Sequence, residues 1–554
     1  MTTPTSRRSF VATSAGSVLA LAGAPWIILR RAPHDLIIRG GTVFDGTGAA
    51  GIESDVAITG GKFAAISRRI AERGTEEIDA RGLAVAPGFI DIHSHGDGSL
   101  QQDPRAESLI RQGITTIVVG QDGSSQAPSR PRAGTGGATD AGDAGERSFS
   151  TLFASIDKLH PAVNVASMVG LGSLRGIVVG ADDRPATAAE LARMTVMVEE
   201  AIAQGACGAS SGLEYTPGAF APLDELIALC KPLAARRLPY ATHMRNEDDR
   251  LLEAIDESIA VARGAKCPLQ ISHLKTQGPR NWSKLDDVFA RVARERQSGM
   301  DVAFDRYPYL AYSTGLTNLF PVSSRDGGTD AFLARLADAS VAPRIKTQVL
   351  DKIALLGGWD NVMITNVRAA EDKAAEGKRL GAYATAVGTD PYALTVEMLT
   401  RNRGSIGMVG FAMSEDNLDR ILAHPQGMVC SDGGSFAVDG PTRRGSPHPR
   451  GLGTFPRVLS RYVRERKALT LTQAINKMSA LPASRIHLGD RGRIATGLAA
   501  DVVVFDPANV QDRATYEDPF QYPVGIHAVA VNGKIALREG QRSAQGTGKS
   551  LRPS

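Results

Sequence analysis

A chain of 554 residues with 42% hydrophobic content can bury a large core and exceeds one ordinary domain. Its formal net charge of +4 is small for that length, and no dense Lys/Arg run with interleaved aromatics occurs, so electrostatics exclude nucleic acid as the indicated partner. The four cysteines (Cys207, Cys230, Cys267, Cys430) lack pair spacing, which excludes a disulfide framework or a cysteine zinc module.

At the amino terminus, Ser6-Arg7-Arg8-Ser9-Phe10 precedes a mildly apolar stretch, 11–24, with small residues at Ala20, Ala22 and Ala24. An arginine pair, a modest apolar region and a small-residue cleavage zone predict a twin-arginine export signal over 1–33 and a periplasmic destination. The apolar stretch falls short of the ~20 residues needed to span a bilayer, so no stable membrane association is expected after export. Strand runs at 35–43 and 54–62, punctuated by glycine pairs, read as hairpins. Similar runs return at 492–494, 500–507 and 529–534. The two ends, 34–83 and 485–540, therefore predict one small β-sandwich built from both termini.

Between them lies an alternating middle, 84–484. Six apolar runs each lead to a residue able to bind or serve a metal: 83–91 to His93 and His95, 115–120 to Asp122, 238–242 to His243, 268–272 to His273, 302–304 to Asp305, and 428–431 to Asp432. Short apolar runs bounded by polar and turn residues read as buried parallel strands. Two more, 164–169 and 206–211, bring the count to eight. Helical patterns at 187–204, 223–237, 248–264, 283–297 and 472–479 fill the intervals, so the α/β class and a (β/α)8 TIM-like barrel follow. In such a barrel the site gathers at the carboxyl ends of the strands, where these residues fall.

Two stretches break the rhythm. Residues 124–147, rich in Gly, Ala, Ser and Pro, predict a flexible loop over the active mouth. The interval 317–425 is too long for a barrel connection and predicts an inserted lid. The tail, 541–554, is small, polar and basic, and predicts disorder.

On a strand, residues i and i+2 share a face, which would aim His93 and His95 into one cavity. Imidazoles and carboxylates at strand ends suit one or two divalent ions, zinc above all, with a position open to water. On the residues alone, Asp122 could instead cap a turn, and Asp432 could be a turn aspartate before Gly433-Gly434.

The series Pro87-Gly88-Phe89-Ile90-Asp91-Ile92-His93-Ser94-His95, followed by separate His, His and Asp strand ends, resembles the amidohydrolase superfamily. The stretches 205–218 (GACGASSGLEYTPG), 240–247 (YATHMRNE), 270–275 (QISHLK), 305–309 (DRYPY), His448-Pro449-Arg450 and 453–457 (GTFPR) are similar to the D-aminoacylases, or N-acyl-D-amino-acid deacylases. The likeness runs from about residue 35 to 534. It implies a zinc hydrolase that cuts the amide of N-acyl-D-amino acids, with His243 and His273 on the tightly held metal and His93, His95 and Asp432 around a second position. The family's bridging cysteine is replaced here by Asp122 in Gly120-Gln121-Asp122-Gly123, a harder ligand that extends tolerance toward manganese or cobalt. Leu171 stands where relatives often carry histidine.

The resemblance further implies that Asp432 takes a proton from the attacking water and returns it to the departing amine. It points to Arg450 as the fork for the substrate carboxylate, with Lys275 and Tyr307 as further donors and Tyr215 lining the pocket. The segment 437–446, just before the His-Pro-Arg motif, is extra and could reshape that pocket. Glu214 and Asp305 read as groups that orient ligands. A small-molecule substrate is the expected partner, and the oligomeric state stays open. Two other readings stand beside the deacylase: a cyclic-amide or dipeptide hydrolase on the same metal site, and a non-catalytic binding protein on a barrel.

Overall fold

The structure, a computed structural model, describes residues 33–129 and 147–554. Nearly all of the stretch expected to be an export signal, 1–33, and most of 124–147 lie outside them. Among the described residues, no helix is long and apolar enough to cross a membrane.

Eight parallel strands form the barrel: Phe89–Asp91, Ile114–Val119, the broken pair Asn164–Ser167 and Val169–Gly170, Ala209–Gly212, Tyr240–His243, Leu269–Ile271, Val302–Arg306 and Gly427–Val429. Each pairs in parallel with its neighbour. The ring closes just beyond the first and last strands, where Asp432 N donates to His93 O at 2.9 Å and Ser431 N donates to the Asp91 carboxylate at 2.8 Å. Interior positions such as Ile90, Val118, Ala166, Ala241, Ala303 and Met428 fill the ring in one buried cluster. Near-continuous apolar strands are what a sheet covered on both faces requires.

The helices sit where the 3.6 period places them. Thr187 caps Ala188–Ala203 with a full capping box to Glu190, and Thr470 does the same for Leu471–Met478 through Gln473. Part of the pattern at 223–237 tightens into a 3-10 turn, Lys231–Arg236, where Pro232 removes a backbone donor.

Strands of both termini join one hydrogen-bonded sheet of nine, rather than two separately bonded sheets. Their faces alternate along Val502–Phe505: Val502 and Val504 enter a core with Leu36, Ile38, Val56 and Ile58, while Val503 and Phe505 meet Phe89 and Leu109 of the barrel. Residues 492–494, read as a strand, form a turn in which Gly492 has φ 78° and no ladder. The strands Lys62–Ser67 and Gly74–Asp79 went unread because their outward faces are polar.

The insert begins earlier than residue 317. Its antiparallel sheet of Ala311–Gly315, Val362–Asn366 and Gly407–Phe411 already includes the residues just after the seventh barrel strand. It also ends sooner, because the helix Glu415–Ala423 packs Leu418 and Leu422 with Val429 and Ile475 of the barrel. The tail 541–554 is a correction. It is held along the third barrel strand, with Val165 N donating to Lys549 O at 2.9 Å, Leu551 N donating to Val165 O at 2.8 Å and the Leu551 side chain buried. Its polar residues find backbone partners at a strand end, which composition does not reveal.

Candidate metal and catalytic centre

His93, His95, Asp122, His243, His273 and Asp432 converge at the carboxyl end of the barrel. Asp122 stands at their centre. Its Oδ1 lies 3.4 Å from His93 Nε2 and 3.5 Å from His273 Nε2, and its Oδ2 lies 3.3 Å from His95 Nε2 and 3.7 Å from His243 Nδ1. Asp432 Oδ1 is 3.1 Å from His95 Nε2 and 3.6 Å from His93 Nε2, while His243 Nδ1 and His273 Nε2 approach to 3.0 Å.

Most of these residues are not on the strands themselves. His93 and His95 follow the strand that stops at Asp91, so their common aim does not come from strand alternation. It comes from tethers to both neighbours: Ser94 N donates to Val118 O at 3.0 Å and His95 N to Gly433 O at 2.9 Å. Asp122, His273 and Asp432 take positive φ values of 52°, 35° and 49°. A non-glycine residue in that region costs about 1–2 kcal/mol, and here it turns three side chains from the strand direction toward a shared point.

The site is charged and largely buried, with the His95 side chain open to the cavity. Burial disfavours charge throughout, but Asp122 and Asp432 outweigh it at His95, whose pKa rises to about 9. Glu247, Asp122 and Glu214 outweigh it at His243, which rises to about 10. Burial likewise raises Asp432, yet Arg450 and the histidines hold its carboxyl far below the ordinary range. His93 Nε2, Asp122 Oδ1 and His243 Nε2 are buried with no hydrogen-bond partner. Orphaned imidazole nitrogens facing an orphaned carboxylate oxygen, in two overlapping groups (His93, Asp122, His273, Asp432; and His243, Glu247, His273), fit a divalent cation.

Supporting groups surround this set. Asp305 accepts from His273 N at 2.8 Å and from Gln270 Nε2 at 2.7 Å, and sits 3.6 Å from His93 Nδ1. Glu214 lies 3.5 Å from His243 Nε2 and accepts from Asn318 of the insert at 2.9 Å. Glu247 was not singled out from the sequence. Its Oε1 lies 3.1 Å from His273 Nδ1 and fixes that ring's orientation, with Nε2 facing Asp122. The signal was present four residues after His243, but the segment there is a loop, and only the fold turns the carboxylate inward.

A cavity of about 290 Å³ opens over the site, and Tyr215, Lys275, Tyr307, Asp432 and Arg450 all line it. They differ in what is free. Lys275 Nζ is committed to Glu247 Oε1 and His273 Nδ1, both at 2.6 Å. Arg450 donates through Nη1 to Asp432 Oδ2 at 2.8 Å and through Nη2 to Ser313 O at 3.3 Å. The Tyr307 hydroxyl is buried without a partner, its ring 4.8 Å from the Arg450 guanidinium carbon. Tyr215 OH accepts from Thr314 at 3.2 Å and lies 3.5 Å from His243 Nδ1. His448 shapes the turn, accepting from Arg450 N at 3.0 Å and meeting Ala311 O at 2.9 Å.

The Amidohydrolase family profile matches residues 76–354 and 435–537. The N-acyl-D-glutamate deacylase of Alcaligenes xylosoxydans xylosoxydans is 38% identical over 502 residues, 90% of this chain and 93% of its own length. The D-aminoacylase of the same organism is 34% identical over 524 residues, 94% of this chain and 98% of its own. Among solved structures, the N-acyl-D-glutamate deacylase of Bordetella bronchiseptica, complexed with zinc and a phosphonate inhibitor, superposes with TM-score 0.78 at 35% identity, covering 94% of this chain and 99% of its own. The chain belongs to the amidohydrolase family, among the D-aminoacylases and N-acyl-D-amino-acid deacylases.

Proposed function

We propose that this protein hydrolyses the amide bond of N-acyl-D-amino acids, releasing a carboxylic acid and a free D-amino acid. The observation that carries the reading is Asp432, whose Oδ1 faces His93 and His95 while Oδ2 is held by Arg450, beside the open cavity. His93, His95, Asp122, His243, His273 and Asp432 would hold one or two divalent ions, with zinc the first candidate. Such an ion supplies Lewis acidity, lowering the pKa of water toward neutrality and polarising a carbonyl.

The remaining work falls to the chain. Asp432 is ionised beside Arg450 and can take the proton of the attacking water at Oδ1, then deliver it to the amine nitrogen as the amide carbon–nitrogen bond breaks. The Tyr307 hydroxyl and the Arg450 fork offer donors to the amino acid's carboxylate. Lys275 and Glu247, both against Nδ1, hold the orientation of the His273 ring. Burial of this network keeps bulk water from competing for its charges.

A chiral panel of N-acetyl amino acids, tested beside cyclic amides and dipeptides on metal-loaded protein, decides the reading. D-selective release of free amino acid supports it; ring opening alone would transfer the site to a cyclic-amide hydrolase. The Arg7-Arg8 leader supports export to the periplasm, which a fusion of residues 1–33 to a reporter in cells with and without the twin-arginine route would test.

A further inference from the structure

Beside the catalytic cavity lies a second basin of about 640 Å³. The two share His95, Ser313, Asp432 and Arg450, so they meet at the proton-carrying carboxylate. A substrate whose amide lies at that junction places one half in each. Of the donors suited to an amino acid's carboxylate, the Tyr307 hydroxyl lines only the smaller cavity and Arg450 stands at the junction, which leaves the larger one for the acyl arm.

The basin's walls come chiefly from residues 95–102, the insert edge at 365–376, the turn 432–436 after the eighth strand, and 442–450 around the His-Pro-Arg motif. They are fastened together, since Ser446 N donates to Thr365 O at 2.6 Å, and Asp439 and Thr442 are tied to Arg105 and Asp103 at 2.7 and 3.5 Å. The backbone at Arg368 is fixed as well, with Arg368 N and Ala369 N donating to Asn402 Oδ1 at 2.7 and 2.8 Å.

The lining is polar and positively biased. Val367, Phe436 and Pro447 are its apolar side chains, and the other side chains that line it are polar or charged. Four cations reach it: Arg450, shared with the catalytic cavity, and the exposed Arg368, Lys373 and Arg444. Lys373 is balanced by Glu376 at 2.8 Å, but among the described residues no carboxylate lies within 4.0 Å of the Arg368 or Arg444 guanidinium, and Arg444 reaches only the Gln102 amide at 3.2 Å. Of the other carboxylates, Asp432 is paired with Arg450, and Asp97 adds one acidic group beside His95.

We propose that this basin is an acyl subsite for an anion-bearing arm, making N-acyl amino acids whose acyl group ends in a second carboxylate, the dicarboxylic monoamides, the preferred substrates. The inference rests on the deacylase reading and adds the acyl class to it. Arg368 and Arg444 supply two exposed planar forks in the basin's lining, and a charge-assisted contact there contributes up to about tenfold in affinity.

The test compares N-acetyl, N-hexanoyl and N-glutaryl derivatives of one D-amino acid, using wild type and the Arg368→Ala/Arg444→Ala double variant, with thermal melts to verify folding. Arg444→Glu alone is the second variant. The expected result is a wild-type kcat/KM about tenfold higher for glutaryl than for acetyl, a ratio that collapses in both variants through KM and falls at high salt. A hexanoyl preference, or a glutaryl-to-acetyl ratio unchanged in the variants, overturns the subsite while leaving the deacylase reading intact. Absence of turnover on all three derivatives overturns the deacylase reading and the subsite with it.

Discussion

Arg450 Nη1 donates to Asp432 Oδ2 at 2.8 Å, and both side chains are almost wholly buried. The pair leaves Asp432 Oδ1 turned toward the histidines, so one oxygen is anchored and the other is available for proton transfer. Asp432→Asn removes the proton carrier and should lower kcat by about 10²–10⁴-fold. Arg450→Lys keeps the charge but loses the two-pronged fork, and should raise KM by about tenfold or more. Steady-state kinetics on metal-loaded variants, with circular dichroism as a folding control, check both. Full activity in Asp432→Asn would remove the proposed base.

Glu247 and Lys275 form a second buried pair. Burial raises the Glu247 carboxyl, but Lys275 and the two histidines overcome it and hold the group ionised. Glu247→Gln leaves the Lys275 ammonium buried against a neutral amide, which should cost about 3–5 kcal/mol and lower Tm. The same change loosens His273 and should weaken metal affinity about 10–100-fold. Calorimetry and competitive chelator titration measure the two effects separately.

Asp122 touches four imidazoles with its two oxygens, so Asp122→Ala should strip bound metal from the purified protein. Asp122→Cys should retain metal but shift the preference toward zinc over manganese, because a thiolate is the softer donor. Metal analysis after growth in mixed metals reads this directly. Identical metal content in wild type and Asp122→Cys would deny Asp122 its special part.

Away from the site, His424 stacks on Phe289 with ring centroids 4.5 Å apart and lies 5.1 Å from Phe304. Burial, and then Lys477 and Arg296, push its pKa down to about 4. The unfolded chain binds a proton at this histidine from about pH 6.5 downward, whereas the folded chain resists until about pH 4. Stability contributed here is therefore complete above pH 6.5 and is lost as pH falls through that window. His424→Gln should flatten the slope of Tm between pH 6.5 and 4, and an unchanged slope would show that other groups set it.

The barrel was legible because strand ends and apolar runs are local signals. Apolar runs and the 3.6 period placed most of the eight strands and five helices to within a few residues, although the first run, 83–91, splits and gives Ala84–Pro87 to the terminal sheet. Other features depended on distant partners. The tail from 541 to 554 looked disordered because its composition is small and polar, yet Lys549 and Leu551 complete the hydrogen bonding of Val165. The insert was mislocated at both edges because 311–315 becomes a strand only by pairing with 407–411.

From the sequence alone came the ligand types and their order: His93 and His95, Asp122, His243, His273 and Asp432, each after a buried strand. Covalent order and hydrophobic period suffice for that. The tertiary structure decided which atoms meet. Positive φ at Asp122, His273 and Asp432 aims them inward, Glu247 enters from a loop, Lys275 turns from substrate toward a ligand, and a second basin opens beside the first. Those outcomes depend on backbone angles and on contacts between residues hundreds of positions apart, which no local pattern encodes.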